Sequence, residues 1–137
     1  MKLNHSCVRE LLLYIEKNAE YSSIISVEAI ELPGYSLEEI AYTAKKLNEA
    51  GYINADFRIY EIENLCAFIE DITWEGHKFL DTVRDNAVWS KTKKIISKFS
   101  SVSLSLVSNV ASQVLTNLIN QELGITPIST FNGATNG

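Results

Sequence analysis

Ser36-Leu-Glu-Glu-Ile-Ala-Tyr-Thr-Ala-Lys-Lys-Leu-Asn-Glu-Ala-Gly-Tyr-Ile53 is the stretch on which the fold turns. Its first four residues predict a capping box: the Ser36 hydroxyl accepts the Glu39 amide, and the Glu39 side chain reaches back to the Ser36 amide. Tyr35 and Ile40 are spaced for the accompanying hydrophobic staple. Ile40, Ala44 and Leu47 then form one buried stripe at helical spacing, which Ala41 or Ala50 can widen. Gly51 is the expected left-handed residue that ends the helix.

Working outward, a β-rich run follows over residues 52–72. Phe57, Ile59 and Glu61 share one strand face, and Arg58, Tyr60 and Ile62 share the other. Cys66, Phe68, Glu70 and Ile72 alternate in the same way with Leu65, Ala67, Ile69 and Asp71. With Glu63-Asn64 as the turn, this reads as an antiparallel hairpin. Before Ser36, residues 4–18 predict a helix with Val8, Leu11, Leu12 and Ile15 inward and Asn4 or Ser6 as its cap. Ile24–Val27 predicts a short strand, and Leu32-Pro33-Gly34 a turn. After the hairpin, Thr73 caps a long helical stretch to about residue 98, with a break near Asp85-Asn86. Leu80, Val83 and Ala87 are its expected core stripe, joined by Trp74, Phe79, Ile95, Ile96 and Phe99. A last helix is expected from about Ser103 to Leu123, ended by Gly124. Its narrow seam of Leu104, Val107, Ala111, Val114 and Leu118 can pack on the domain or on a second copy.

Composition bounds what such a chain can do. It has 137 residues, 12 Lys+Arg, 17 Asp+Glu and a formal net charge of −5, enough for one core without staples. The charge is uneven: residues 1–88 hold 8 basic and 16 acidic side chains, and residues 89–137 hold 4 basic and 1 acidic. All four late cations fall in one cluster, Lys91, Lys93, Lys94 and Lys98. The acidic balance argues against non-specific coating of nucleic acid. Arg9 and Glu10 interrupt any signal-like apolar start, and polar residues interrupt the most apolar stretch, Val102–Ile119. The expectation is a cytoplasmic protein with no membrane partner.

The segment from Glu39 to Ile53 resembles the recognition helix and exit strand of bacterial winged-helix regulators, through Leu47, Gly51, Tyr52 and Ile53. Ile72-Thr-Trp-Glu-Gly-His-Lys-Phe-Leu80 resembles the Leu-Thr-x-x-Gly-x-x-x-Leu phrase that follows the wing in the same regulators. Closer still, Leu32-Pro-Gly-Tyr-Ser36, the Lys-Leu-Asn-Glu-Ala-Gly run, Thr73–Asp81 and Arg84-Asp-Asn-Ala-Val-Trp89 resemble the bacterial domain of unknown function 2513 family. That resemblance covers most of residues 1–123. It implies a small cytoplasmic accessory protein, often encoded in phages and prophages of a bacterial host cell, and assigns no activity.

The expected fold class is therefore α+β and mainly helical: a winged-helix-type domain over 1–99, a C-terminal helical extension over 100–124 for packing or dimerisation, and a flexible tail over 125–137. One functional expectation is DNA binding. It would use Tyr42, Thr43 and Lys46 for groove contact, and Lys45, Lys46, Arg58, Lys91, Lys93, Lys94 and Lys98 for phosphates. Against it stand Glu38, Glu39 and Glu49 on the reading helix, Glu61 and Glu63 near the wing tip with Glu70 further down, and Ile30–Tyr35 in place of the usual preceding helix. The other expectation is a protein-interaction module, or a homodimer through the seam from Leu104 to Leu118. Enzymatic chemistry is not expected, nor a cofactor or small-molecule substrate. Glu38-Glu39 and Glu70-Asp71 are adjacent, so each pair should point two ways rather than share a proton. No metal is expected, because His5, Cys7, Cys66 and His77 match no zinc spacing, and the cysteines read as packing residues.

Overall fold

The computed structural model describes residues 1–61 and 64–125, with the backbone alone for 58–61 and 64–65. It is α+β, with five α-helices and a three-stranded antiparallel sheet among the described residues. The chain divides into two compact units, residues 1–84 and 85–137.

The first unit begins with α1, His5–Asn18, and the Asn4 side chain accepts from the Ser6 and Cys7 amides at its start. Val8, Leu11, Leu12 and Ile15 are fully buried, as their spacing requires. Strand β1 is only Ile25–Ser26, and a single 3₁₀ turn, Val27–Ala29, follows it. No α-helix is assigned between that turn and α2, Leu37–Glu49. The Ser36 hydroxyl accepts from the Glu39 amide at 3.1 Å, so half of the capping box forms. The Glu39 carboxylate instead accepts from Asn4 Nδ2 at 3.1 Å, tying together the N-termini of two helices. The sequence could not foresee that competitor, which lies 35 positions away.

Gly51 ends α2 at φ 80°, and the Tyr52 amide returns to the Leu47 carbonyl at 2.9 Å. Strands β2, Ile53–Glu61, and β3, Asn64–Ile72, pair antiparallel. Strand β1 lies on the other edge of β3, giving the order β1-β3-β2. The expected hairpin therefore forms, though Glu63 of its expected Glu63-Asn64 turn lies outside the described residues, as does Ile62 of the expected strand. Its register is not uniform. Asn54 faces Asp71 and Ala55 faces Ile69, which leaves Glu70 as an extra residue, a β-bulge. The bulge shifts the alternation, so Ile72 is buried along with Ala67 and Ile69 although it has the parity of Cys66 and Phe68.

Helix α3, Trp74–Val83, is locked to the end of α2 by three contacts. Thr73 caps it by accepting the Gly76 amide, donates its hydroxyl to the Gly51 carbonyl, and bonds through its own amide to the Tyr52 carbonyl. Gly76 sits so close to that carbonyl that an added Cβ would lie 2.0 Å from the oxygen. The Tyr52 and Phe79 rings meet at 5.3 Å. Arg9, 7% exposed, donates Nε to the Val83 carbonyl at 2.8 Å and Nη2 to the Arg84 carbonyl, satisfying the last carbonyls of α3.

The second unit holds α4, Asn86–Ile96, and α5, Leu104–Glu122, packed on each other. The break near Asp85-Asn86 is real: Asp85 accepts from the Ala87 and Val88 amides and starts a new helix. Val88 and Trp89 of α4 are buried, as are Val107, Ala111 and Val114 of α5. Trp74 and Phe99 were expected in the core but are 78% and 64% exposed, and Ala87 is exposed as well. Helical spacing carries no phase across the break at Arg84-Asp85, which misassigns Ala87; Trp74 stands five and six residues before Phe79 and Leu80, off their face of α3, and Phe99 lies beyond the end of α4. Gly124 closes α5 at φ 73°, with the Ile125 amide on the Asn120 carbonyl. The expected tail lies, beyond Ile125, outside the described residues.

Candidate binding surfaces

The outward face of α2 is what a groove or a partner would meet. Leu37, Glu38, Lys45 and Glu49 are exposed, and Tyr42 and Lys46 are half-buried. Lys46 is not idle: its ammonium lies 3.1 Å from Glu49 Oε1 and 5.5 Å from the centre of the Tyr42 ring. The Glu49 carboxylate holds that ammonium charged and pushes its pKa up. Two exposed acids and two lysines leave this face near neutrality. Thr43, expected in the groove, is 1% exposed and points inward. Its hydroxyl donates to the Glu39 carbonyl at 2.7 Å and lies 3.4 Å from Cys7 Sγ. It falls with Ile40, Ala44 and Leu47 on the packed side, so it belongs to the α1–α2 contact and not to a groove-reading set.

The other expected cations are distributed. The side chain of Arg58, on β2, lies outside the described residues, as do those of Glu61 and Glu63. Lys91, Lys93, Lys94 and Lys98 are all exposed at the C-terminal half of α4 and just beyond it. There the helix dipole favours positive charge even without a ligand. The expected seam of α5 divides in two. Val107, Ala111 and Val114 are already buried, because α4 packs on that face, and so offer no free dimer surface. Leu104 and Leu118 are half-buried. An apolar groove of about 250 Å³ opens where Leu115, Leu118, Ile119 and Leu123 meet Val88.

The two thiols take different settings, Cys7 buried and Cys66 half-buried. Cys7 is buried on α1, and burial pushes its thiol up, which keeps it protonated and unreactive. Cys66 lies on β3 opposite Arg58 in the ladder. Among the described residues no three of His, Cys, Asp and Glu gather closely enough to hold a metal ion. Sequence reasoning missed a cleft of about 610 Å³ in the first unit, between the end of α1, the segment leading into β1, the end of β3 and α3. The bulge at Glu70 was the missing signal. It sets Glu70 and Asp71 along one cleft, where simple alternation would have sent them to opposite faces. Among the described residues no helix is long and apolar enough to cross a membrane.

An α+β domain that presents a helix face, a hairpin and an open cleft, followed by two packed helices, is thus the class of protein in hand. The chain belongs to the family described as "Hypothetical protein (DUF2513)", whose model matches residues 2–103. It is also 31% identical over 121 residues to a protein of Haemophilus influenzae described as "Uncharacterized protein", covering 87% of this chain and 99% of that one. No solved structure matches the chain significantly.

Proposed function

We propose that this protein is a non-enzymatic binding module on a winged-helix-type scaffold, with α2 as its DNA-reading helix. The observation that carries this reading is the connectivity. Helix, short strand, helix and hairpin follow in order, and the first strand lies on the far edge of β3 to give β1-β3-β2. A helix placed directly before such a hairpin is the element that enters the major groove in helix-turn-helix proteins and their winged relatives. The single 3₁₀ turn at Val27–Ala29 takes the place of the supporting helix. Tyr42, Lys45 and Lys46 are the groove-facing set, and the exposed lysines of α4 supply further phosphate contacts.

The test is fluorescence anisotropy of a labelled random duplex at two salt concentrations. Binding that weakens with added salt, and at least tenfold further in Lys45→Glu/Lys46→Glu, is the expected result. No anisotropy change up to about 100 μM protein, the weak end of non-specific affinities, overturns it. A second reading, a protein-interaction module, is favoured by a specific observation: residues 1–84 carry 8 basic and 15 acidic side chains, and Lys46 is already paired with Glu49.

A further inference from the structure

The cleft of about 610 Å³ in the first unit has a floor, a rim and a sign. Ile15 and Ile72, both buried, form an apolar floor. On the rim, Tyr21 and Ile24 stand 101% and 60% exposed, large apolar side chains that the fold itself does not cover. Four acidic residues, Glu16, Glu20, Glu70 and Asp71, line the same space together with His77, and no lysine or arginine does. Glu16 is already matched by Arg84, whose Nη2 lies 2.6 Å from its Oε2. Asp71 accepts from the neutral Asn54 Nδ2 at 2.7 Å. Glu20, Glu70 and Asp71 therefore outnumber the one histidine, His77, and give the cleft an acidic lining above an apolar floor.

The geometry points to this cleft as the docking site for an arginine-bearing segment of a partner protein. An arginine matches the acidic and the apolar parts of this lining together. Its aliphatic stem can lie against Ile24 on the rim, its planar head can stack on the free Tyr21 ring, and its fork pairs with carboxylates in two-pronged fashion. A lysine would meet the charge without the planar match. Nucleic acid is disfavoured here, since phosphates would face carboxylates. The inference stands whether or not α2 reads DNA.

The experiment is an amide NMR titration of the ¹⁵N-labelled full chain with the blocked tripeptide acetyl-Leu-Arg-Leu-amide. The matched control carries citrulline, which has the shape of arginine without its charge. Dose-dependent shifts confined to residues 15–24 and 69–77 are expected, with affinity at least tenfold weaker for the citrulline peptide. The exposed substitutions Glu20→Gln/Glu70→Gln should weaken arginine binding at least tenfold while leaving the rest of the spectrum in place. Glu70→Gln alone should give a smaller loss in the same direction. Lys45→Glu/Lys46→Glu should leave this titration unchanged, which separates it from the DNA reading. Equal binding of the citrulline peptide, shifts centred on other residues, or no shift at about 10 mM peptide overturns the proposal.

Discussion

Gly76 shows how much a single missing methylene group decides. A Cβ there would meet the Tyr52 carbonyl at 2.0 Å and the Ile72 side chain at 2.7 Å, and neither the backbone nor the packed sheet end can retreat. Gly76→Ala should cost at least about 2–3 kcal/mol by overpacking, read as a drop in the urea midpoint; a change below 0.5 kcal/mol would mean that α3 shifts freely. Ser36→Ala removes one capping acceptor, and about 1 kcal/mol of stability should go with it in thermal melts. An unchanged midpoint would refute the cap. The Arg84–Glu16 pair predicts a pH dependence. Arginine holds the Glu16 carboxyl below its ordinary range, so the pair contributes fully above the unfolded value near pH 4.5. Its contribution fades as pH falls through the lowered native value. Both side chains are partly exposed, so solvent screening limits the effect to about 1 kcal/mol or less. Arg84→Ala should therefore destabilise at pH 7 more than at pH 3, and an equal loss at both would sink the assignment.

Elements were legible where their signals are local. The α2 cap, its Leu47-to-Ile53 exit and the Thr73 cap of α3 read directly from sequence, because each is satisfied within four or five residues. What could not be read is that these signals interlock, with Thr73 bonded to Gly51 and Tyr52 across 21 or 22 positions. The same limit applies to Arg9. Its sequence position suggests a solvent-facing flank, yet it is buried against the final carbonyls of α3, more than 70 residues away. Arg9→Leu leaves those carbonyls unpaired in a buried place and should cost about 2–3 kcal/mol, checked by chemical denaturation. A cost below 1 kcal/mol would show that solvent reaches the helix end. Spacing also fails across the α3–α4 break, where Ala87 is exposed. Each helix sets its own phase, and Asp85 restarts it.

For the whole molecule, charge and function scale together. A net charge of −5 resolves into an acidic first unit and a lysine-bearing second one. Any DNA affinity must therefore arise from a few cations and show a shallow salt slope, about one unit per phosphate neutralised. A slope beyond about six, measured by the anisotropy titration, would contradict so small a contact. Of the candidate site, Tyr42, Lys45 and Lys46 were legible because helical periodicity places them opposite a recognisable apolar stripe. Thr43 was not, because one step of about 100° separates an outward position from the packed side, and the width of a buried face depends on the neighbour it meets. The 610 Å³ cleft was illegible for a related reason: it needs a bulge at Glu70, the end of α1 and a strand partner for β3. By itself the sequence determined the caps, the helix ends, the hairpin and the family, all consequences of short-range hydrogen bonding and periodicity. Only the tertiary structure decided the strand order, the inward turn of Thr43 and Arg9, and the convergence of Glu70 and Asp71. Those depend on which distant backbone groups compete for the same donors, acceptors and space.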